Sequence, residues 1–155
     1  MEFTNATLPQ QKTIALVAHD HRKKALMLWA CQHKDALSRH SLCATGTTGQ
    51  QLEQALNLPV KRFLSGPLGG DQQIGSQIAE GKIHCLIFFW DPFEPMPHDP
   101  DIKALLRLAS VWNIPVACNS STADMLISSP YFDGENIREI PDYMKYSQNR
   151  TKPKT

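Results

Sequence analysis

The stretch "IHCLIFFW", residues 83–90, has no polar residue between Cys85 and Trp90. A strand with one wet face alternates apolar and polar side chains. A run that is apolar at every position reads instead as a strand covered on both faces. Four further short runs have a related texture: "TIALVA" (13–18), "LCAT" (42–45), "VKRFLS" (60–65) and "IPVACN" (114–119). Most of them also lack alternation. Helical stretches lie between them. The clearest is 100–112, where Ile102, Leu105, Leu106, Ala109 and Trp112 recur at helical spacing. Asp99 and Pro100 suit its N-cap and first turn. Thr48 and Gln51 resemble a capping box opening a helix with Leu52, Ala55 and Leu56 on one face. Strands alternating with helices predict an α/β fold: a parallel sheet of about five strands, covered on both sides and joined by right-handed crossovers.

The chain has 155 residues, which suits one well-cored domain spanning 1–155. Only the tail from about Ser147 reads as frayed. Sixteen basic and fifteen acidic residues leave a net charge of +1, which offers no electrostatic footprint for nucleic acid. No apolar run approaches a membrane span, and "MEFTNATLPQQK" contains no signal-peptide core, so a cytoplasmic protein is expected. Cys31, Cys43, Cys85 and Cys118 are widely spaced, and three of them fall in apolar runs. They read as reduced, small hydrophobes.

In an open parallel sheet, ligands bind beyond the carboxyl ends of the strands, where chain order reverses. That rule gathers the polar residues that follow each run. The first strand delivers His19 and Asp20, the second Thr45, Gly46, Thr47 and Thr48, the third Ser65 and Gly66. The fourth delivers Asp91 and a proline-rich loop carrying His98, while Asp71 and Asp101 open helices. "TGTTG" runs into a helix N-terminus, so it reads either as a capped turn or as an anion site made of backbone N–H groups and hydroxyls. Lys23 favours the second reading. Arg22, Lys23 and Lys24 crowd a helix start, where the dipole disfavours cations, and a broken local rule often marks function. Neither a GxGxxG nor a GxxxxGK[ST] motif is present, which leaves a small phosphorylated metabolite as the fitting ligand. His19, His21 and His98 do not have the spacing of a closed zinc site, so no metal is expected.

"LSGPLGGDQQIG" (64–75) places four glycines in twelve positions around Asp71. Asp71 could be only an N-cap. Gly66, Gly69 and Gly70, however, allow closer backbone approach than a cap requires. A carboxylate beside a phosphate site suggests proton abstraction from a carbon acid.

"VAHDHRK", "ATGTTG", "LSGPLGGDQQIG", "LIFFWDP", "PHDPDIKALLRLA" and "WNIPVA" together resemble the methylglyoxal synthase family, in family order and from about Thr7 to Tyr146. The resemblance implies a Rossmann-like three-layer α/β/α domain and a homohexamer. It also implies a lyase that converts dihydroxyacetone phosphate to methylglyoxal and inorganic phosphate without metal or organic cofactor. On matching positions it makes Asp71 the catalytic base, His98 the group that polarises the carbonyl and handles protons on the oxygens, and Asp101 its support. His19, Lys23, Thr45, Gly46, Thr47, Thr48, Ser65 and Gly66 would hold the substrate, chiefly its phosphate. Arg150 matches a C-terminal phosphate-contacting arginine, and phosphate is expected to act as product and inhibitor. A triosephosphate isomerase would share the first step. A non-catalytic phosphometabolite-sensing module would need the anion pocket, but not Asp71, His98 and Asp101 together.

Overall fold

The computed structural model describes residues 1–151. In chain order the elements are β1 (Phe3–Leu8), β2 (Thr13–Ala18), α1 (Lys23–Gln32), α2 (Lys34–Leu37), β3 (Ser41–Thr45), α3 (Gly46–Leu56), β4 (Val60–Phe63) and α4 (Gly70–Ala79). There follow β5 (Cys85–Phe89), α5 (Asp99–Val111), β6 (Val116–Ala117), α6 (Ser120–Ser128), α7 (Pro130–Asp133), β7 (Asn136–Pro141) and α8 (Tyr143–Thr151). The main sheet has five strands in the order β4-β3-β2-β5-β6, every pair parallel. The chain moves outward from β2 through β3 to β4, then returns to the other side of β2 for β5 and β6. The switch point therefore lies between β2 and β5, the place where this topology leaves a crevice.

Both faces of the sheet are covered, as the unalternating runs predicted. Along β2, Ile14, Leu16 and Ala18 face a core completed by Leu26 and Trp29 of α1, Leu52 and Leu56 of α3, and Ala123 of α6. Ala15 and Val17 face the other core, with Ile74 and Ile78 of α4 and Ile102, Leu105 and Ala109 of α5. Phe88 and Phe89 of β5 point to opposite sides and both are fully buried. The result is three layers, α/β/α, with Cys43 and Cys85 buried within them and Cys31 exposed.

Several local readings need correction. The helix expected from Thr48 begins at Gly46, with Thr45 at the N-cap and no side-chain cap. Thr48 is therefore inside the first turn and no capping box forms. It ends at Asn57, which adopts the left-handed conformation (φ 51°) that commonly closes a helix. In α5, Asp99 is the first helical residue and His98 holds the cap position. The runs at 83–90 and 114–119 pair over only Cys85–Phe89 and Val116–Ala117. Residues 147–151, expected to fray, continue α8; positions 152–155 lie outside the described residues.

Sequence reading found no counterpart to the small antiparallel sheet of β1 and β7. It is fastened at the amino-terminal edge of the main sheet. Buried Lys12 donates through Nζ to the carbonyls of Pro9, Phe132 and Gly134 at 2.9, 3.0 and 2.9 Å. Arg138 of β7 reaches the carbonyl of Trp112, and Asn113 donates to that of Glu139.

Candidate active site

At the opposite, carboxyl edge of the sheet lies a cavity of about 460 Å³. Its walls come from the ends of β2, β3 and β4 and from the loop after β5. Four helices start around it, and none has a side-chain cap: α1 at Lys23, α3 at Gly46, α4 at Gly70 and α5 at Asp99. By contrast α6 and α7, away from the cavity, are capped by Asn119 and Ser129. The N-terminus of α3 presents its first backbone N–H groups and the positive end of its dipole, whereas the first N–H groups of α5 are engaged, Asp99 to the Met96 carbonyl and Asp101 to that of His98. The cavity is built for an anion.

Close packing of two turns makes the anion cradle. A Cβ on Gly46, which sits at φ +27°, would come within 2.3 Å of Ser65 Oγ. Only glycine lets the start of α3 press against the turn that follows β4. Lys23 Nζ donates to Thr47 Oγ1 (2.8 Å) and to Asp20 Oδ1 (2.6 Å), so the ammonium is held at the rim with one proton unengaged. That pairing also keeps the Asp20 carboxyl below its usual range.

The buried acid sits deeper. Asp71 is 3% exposed, and its Oδ2 has no hydrogen-bond partner. It is not the helix cap: Gly69, at φ +100°, holds that position and Asp71 is the second residue of α4. Gly70 is needed because a Cβ there would meet the Leu64 carbonyl oxygen at 1.9 Å. Loss of hydration pushes the Asp71 carboxyl above the ordinary aspartate value, against the pull of nearby His98 and with some help from Asp101.

His98 Nε2 lies 3.7 Å from Asp71 Oδ2. A Cβ on Gly66 would fall 3.0 Å from Asp71 Oδ2 and 3.1 Å from His98 Nε2. Gly66 thus leaves open a spot within reach of both groups. His19 is buried behind them, its ring edge-on to His98 with centroids 5.9 Å apart. Burial, and then the neighbouring His98, lower the His19 pKa, so it is neutral. Its Nδ1 accepts the Asp91 N–H at 3.1 Å, which assigns the proton to Nε2; that buried atom has no protein partner.

His19, Asp20, Lys23, Thr45, Thr47, Thr48, Ser65, Gly66, Asp71 and His98 therefore line one cavity. The other candidates stand outside its lining. Asp91 accepts the Phe93 N–H through Oδ1, which makes it a loop former as well as the orienter of His19. The Asp101 carboxylate takes Gln72 Nε2 at 3.1 Å. Arg150 donates to Tyr146 on α8, an element that follows the small sheet at the far edge. Sequence reading missed Pro67, Met96 and Pro97 as wall residues. Met96 is half-buried at the cavity. The only available signal was its place two residues before His98.

Residues 25–118 match a family model described as MGS-like domain. A methylglyoxal synthase of Pseudoalteromonas atlantica is 66% identical over 134 residues, covering 86% of this chain and 99% of the relative. Another, of Saccharophagus degradans, is 57% identical over 152 residues, covering 98% and 99%. The crystal structure of methylglyoxal synthase from Elizabethkingia anophelis superposes with a TM-score of 0.88 at 54% identity, covering 98% of this chain and 99% of that one.

Proposed function

This chain belongs to the methylglyoxal synthase family, and from that footing we propose how its cavity carries out the reaction. The protein is a lyase that converts dihydroxyacetone phosphate to methylglyoxal and inorganic phosphate. The observation that carries the assignment of roles is the notch at Gly66, open to both Asp71 and His98.

Asp71 is the base. Its unpartnered carboxylate takes a proton from the hydroxymethyl carbon beside the substrate carbonyl, and the electron pair moves onto the carbonyl oxygen. His98 Nε2 donates to that oxygen, with His19 Nε2–H as a second donor. Donors pre-set around a developing oxyanion are the usual largest source of rate enhancement. The resulting enediolate then pushes out the phosphate by breaking its carbon–oxygen bond, leaving the enol of methylglyoxal, which takes up a proton at carbon. Elimination needs that bond roughly perpendicular to the enediolate plane, where it overlaps the π system. An in-plane bond would leave an isomerase. Lys23, Thr47, Thr48, Ser65 and the N-terminus of α3 hold the phosphate and so set this angle.

Asp101 supports the site through charge rather than contact, since it bears on Asp71 while bonding Gln72. The assembly is a homohexamer in the cytoplasm. Arg150 is absent from the lining of its own cavity, and it serves the phosphate of a neighbouring subunit. Truncation after Tyr146 should then weaken phosphate binding, and light scattering should find no monomer at micromolar concentration.

One assay tests the reaction: purified protein with dihydroxyacetone phosphate, following phosphate and methylglyoxal together. Equal release of both is expected. Glyceraldehyde 3-phosphate without phosphate release would make it an isomerase, and binding without turnover would make it a sensor.

A further inference from the structure

His21 and Glu94 meet outside the catalytic cavity, with Nε2 and Oε2 2.7 Å apart. His21 belongs to the short turn Asp20–Arg22, whose neighbours Asp20 and Lys23 form one wall of the cavity. Glu94 lies in the segment after β5 that supplies Met96, Pro97 and His98 to the same cavity. We propose that this pair is a latch which holds the 92–97 segment closed over the anion pocket, making His21 and Glu94 positioning residues for the reaction.

The remaining polar contacts of the segment are local. Phe93 N–H goes to Asp91 Oδ1, Met96 N–H to Asp99 Oδ1, and Asp99 N–H back to the Met96 carbonyl. Among the described residues, Glu94 to His21 is the polar tie that joins 92–97 to a different part of the chain. Pro92, Pro95 and Pro97 fix φ at every second or third position, so the segment behaves as a stiff strap. Fixing its midpoint fixes Met96 and Pro97, and with them the approach to His98. Exposed ion pairs are weak, with these two side chains 68% and 47% exposed. Weakness suits a strap that must open for substrate and product.

This proposal rests on the lyase reading, so its test has a readout independent of turnover: hydrogen exchange of the Phe93 and Met96 amides, alongside kcat/KM. His21→Ala and Glu94→Ala should each speed that exchange and lower kcat/KM by about 2- to 5-fold, the scale of an exposed pair. The double variant should be no worse than either single one, because both remove the same contact. Glu94→Gln keeps an acceptor and should recover most of the loss, with thermal midpoints unchanged throughout. Exchange matching wild type in both single variants, or effects that simply add, would overturn the latch. Altered, non-additive exchange in a protein that releases no phosphate would keep the latch and refute the reaction.

Discussion

Asp71 Oδ2 and His98 Nε2 face each other at 3.7 Å across the notch left by Gly66, beyond hydrogen-bond range. An acid and an imidazole this near would gain from a direct bond. Their separation leaves both free for a third party. The fold maintains it by setting the two residues on different helices, Asp71 in the first turn of α4 and His98 at the cap of α5.

Asp71→Asn keeps the shape of that wall and removes the base. General acid–base groups contribute about 10²–10⁴-fold to rate, so kcat should fall by that order while phosphate binding changes little. Stability should move the other way. Burial raises the Asp71 pKa, so the folded protein holds this proton more tightly than the unfolded chain does. Stability therefore drops as pH rises through the ordinary and then the raised aspartate value. Asparagine avoids that cost, and its thermal midpoint at neutral pH should exceed that of wild type. Near-normal methylglyoxal production would end the assignment.

Gly66→Ala tests the notch directly. The added methyl would sit 3.0 Å from Asp71 Oδ2 and 3.1 Å from His98 Nε2, where the reacting carbon and oxygen must come. Misplacing a reactant by about 1 Å can cost 10²-fold, and a loss of that size in kcat is expected. Circular dichroism should show an intact fold. Full activity in the alanine variant would place the chemistry elsewhere.

The anion cradle is tested by inorganic phosphate as inhibitor. Lys23→Ala removes the ammonium held by Asp20 and Thr47. Charge-assisted hydrogen bonds contribute about 1.5–3 kcal/mol, so the inhibition constant for phosphate should rise roughly 10- to 100-fold. Thr48→Ala should give a smaller rise. Unchanged inhibition in both variants would exclude "TGTTG" as the phosphate site.

The fold was legible because β2, β3 and β5 are apolar on both faces, a pattern that only a doubly covered sheet explains. The cradle was legible because each strand ends in polar residues and the topology collects those ends. What escaped depends on long-range contacts. β1 and β7 pair residues such as Thr4 and Ile140, over a hundred positions apart, with no apolar run to advertise them. The capping box failed because Thr48 caps nothing: the helix starts two residues earlier, where the free N–H groups face the cavity. Asp101 looked equivalent to Asp71, since both open a helix. Burial separates them, and burial comes from the glycines at 66, 69 and 70 acting in three dimensions.

Three imidazoles, His19 and His40 buried and His84 half-buried, give the protein's stability a pH dependence. His19, His40 and His84 each accept a backbone N–H through Nδ1, from Asp91, Lys12 and Thr13 respectively. All three have their pKa lowered, first by burial. At His84 the charges of Arg138 and Lys12 add to this. At His40 the effect of Lys12 and Arg39 is opposed by Asp133, which lies 3.1 Å from Nε2. Protonation would place a hydrogen on Nδ1 and break each bond. The unfolded chain binds these protons more readily, so the stabilisation is complete above the ordinary imidazole value of 6.5 and is lost as pH falls through the lowered folded values. The urea midpoint should be flat above that point and decline below it. Replacing His40 and His84 with asparagine keeps an acceptor at the Nδ1 position that does not titrate, and neither residue is in the cavity lining. The double variant should retain activity while its decline toward acid becomes shallower. A decline as steep as that of wild type would show that other groups govern the acid limit.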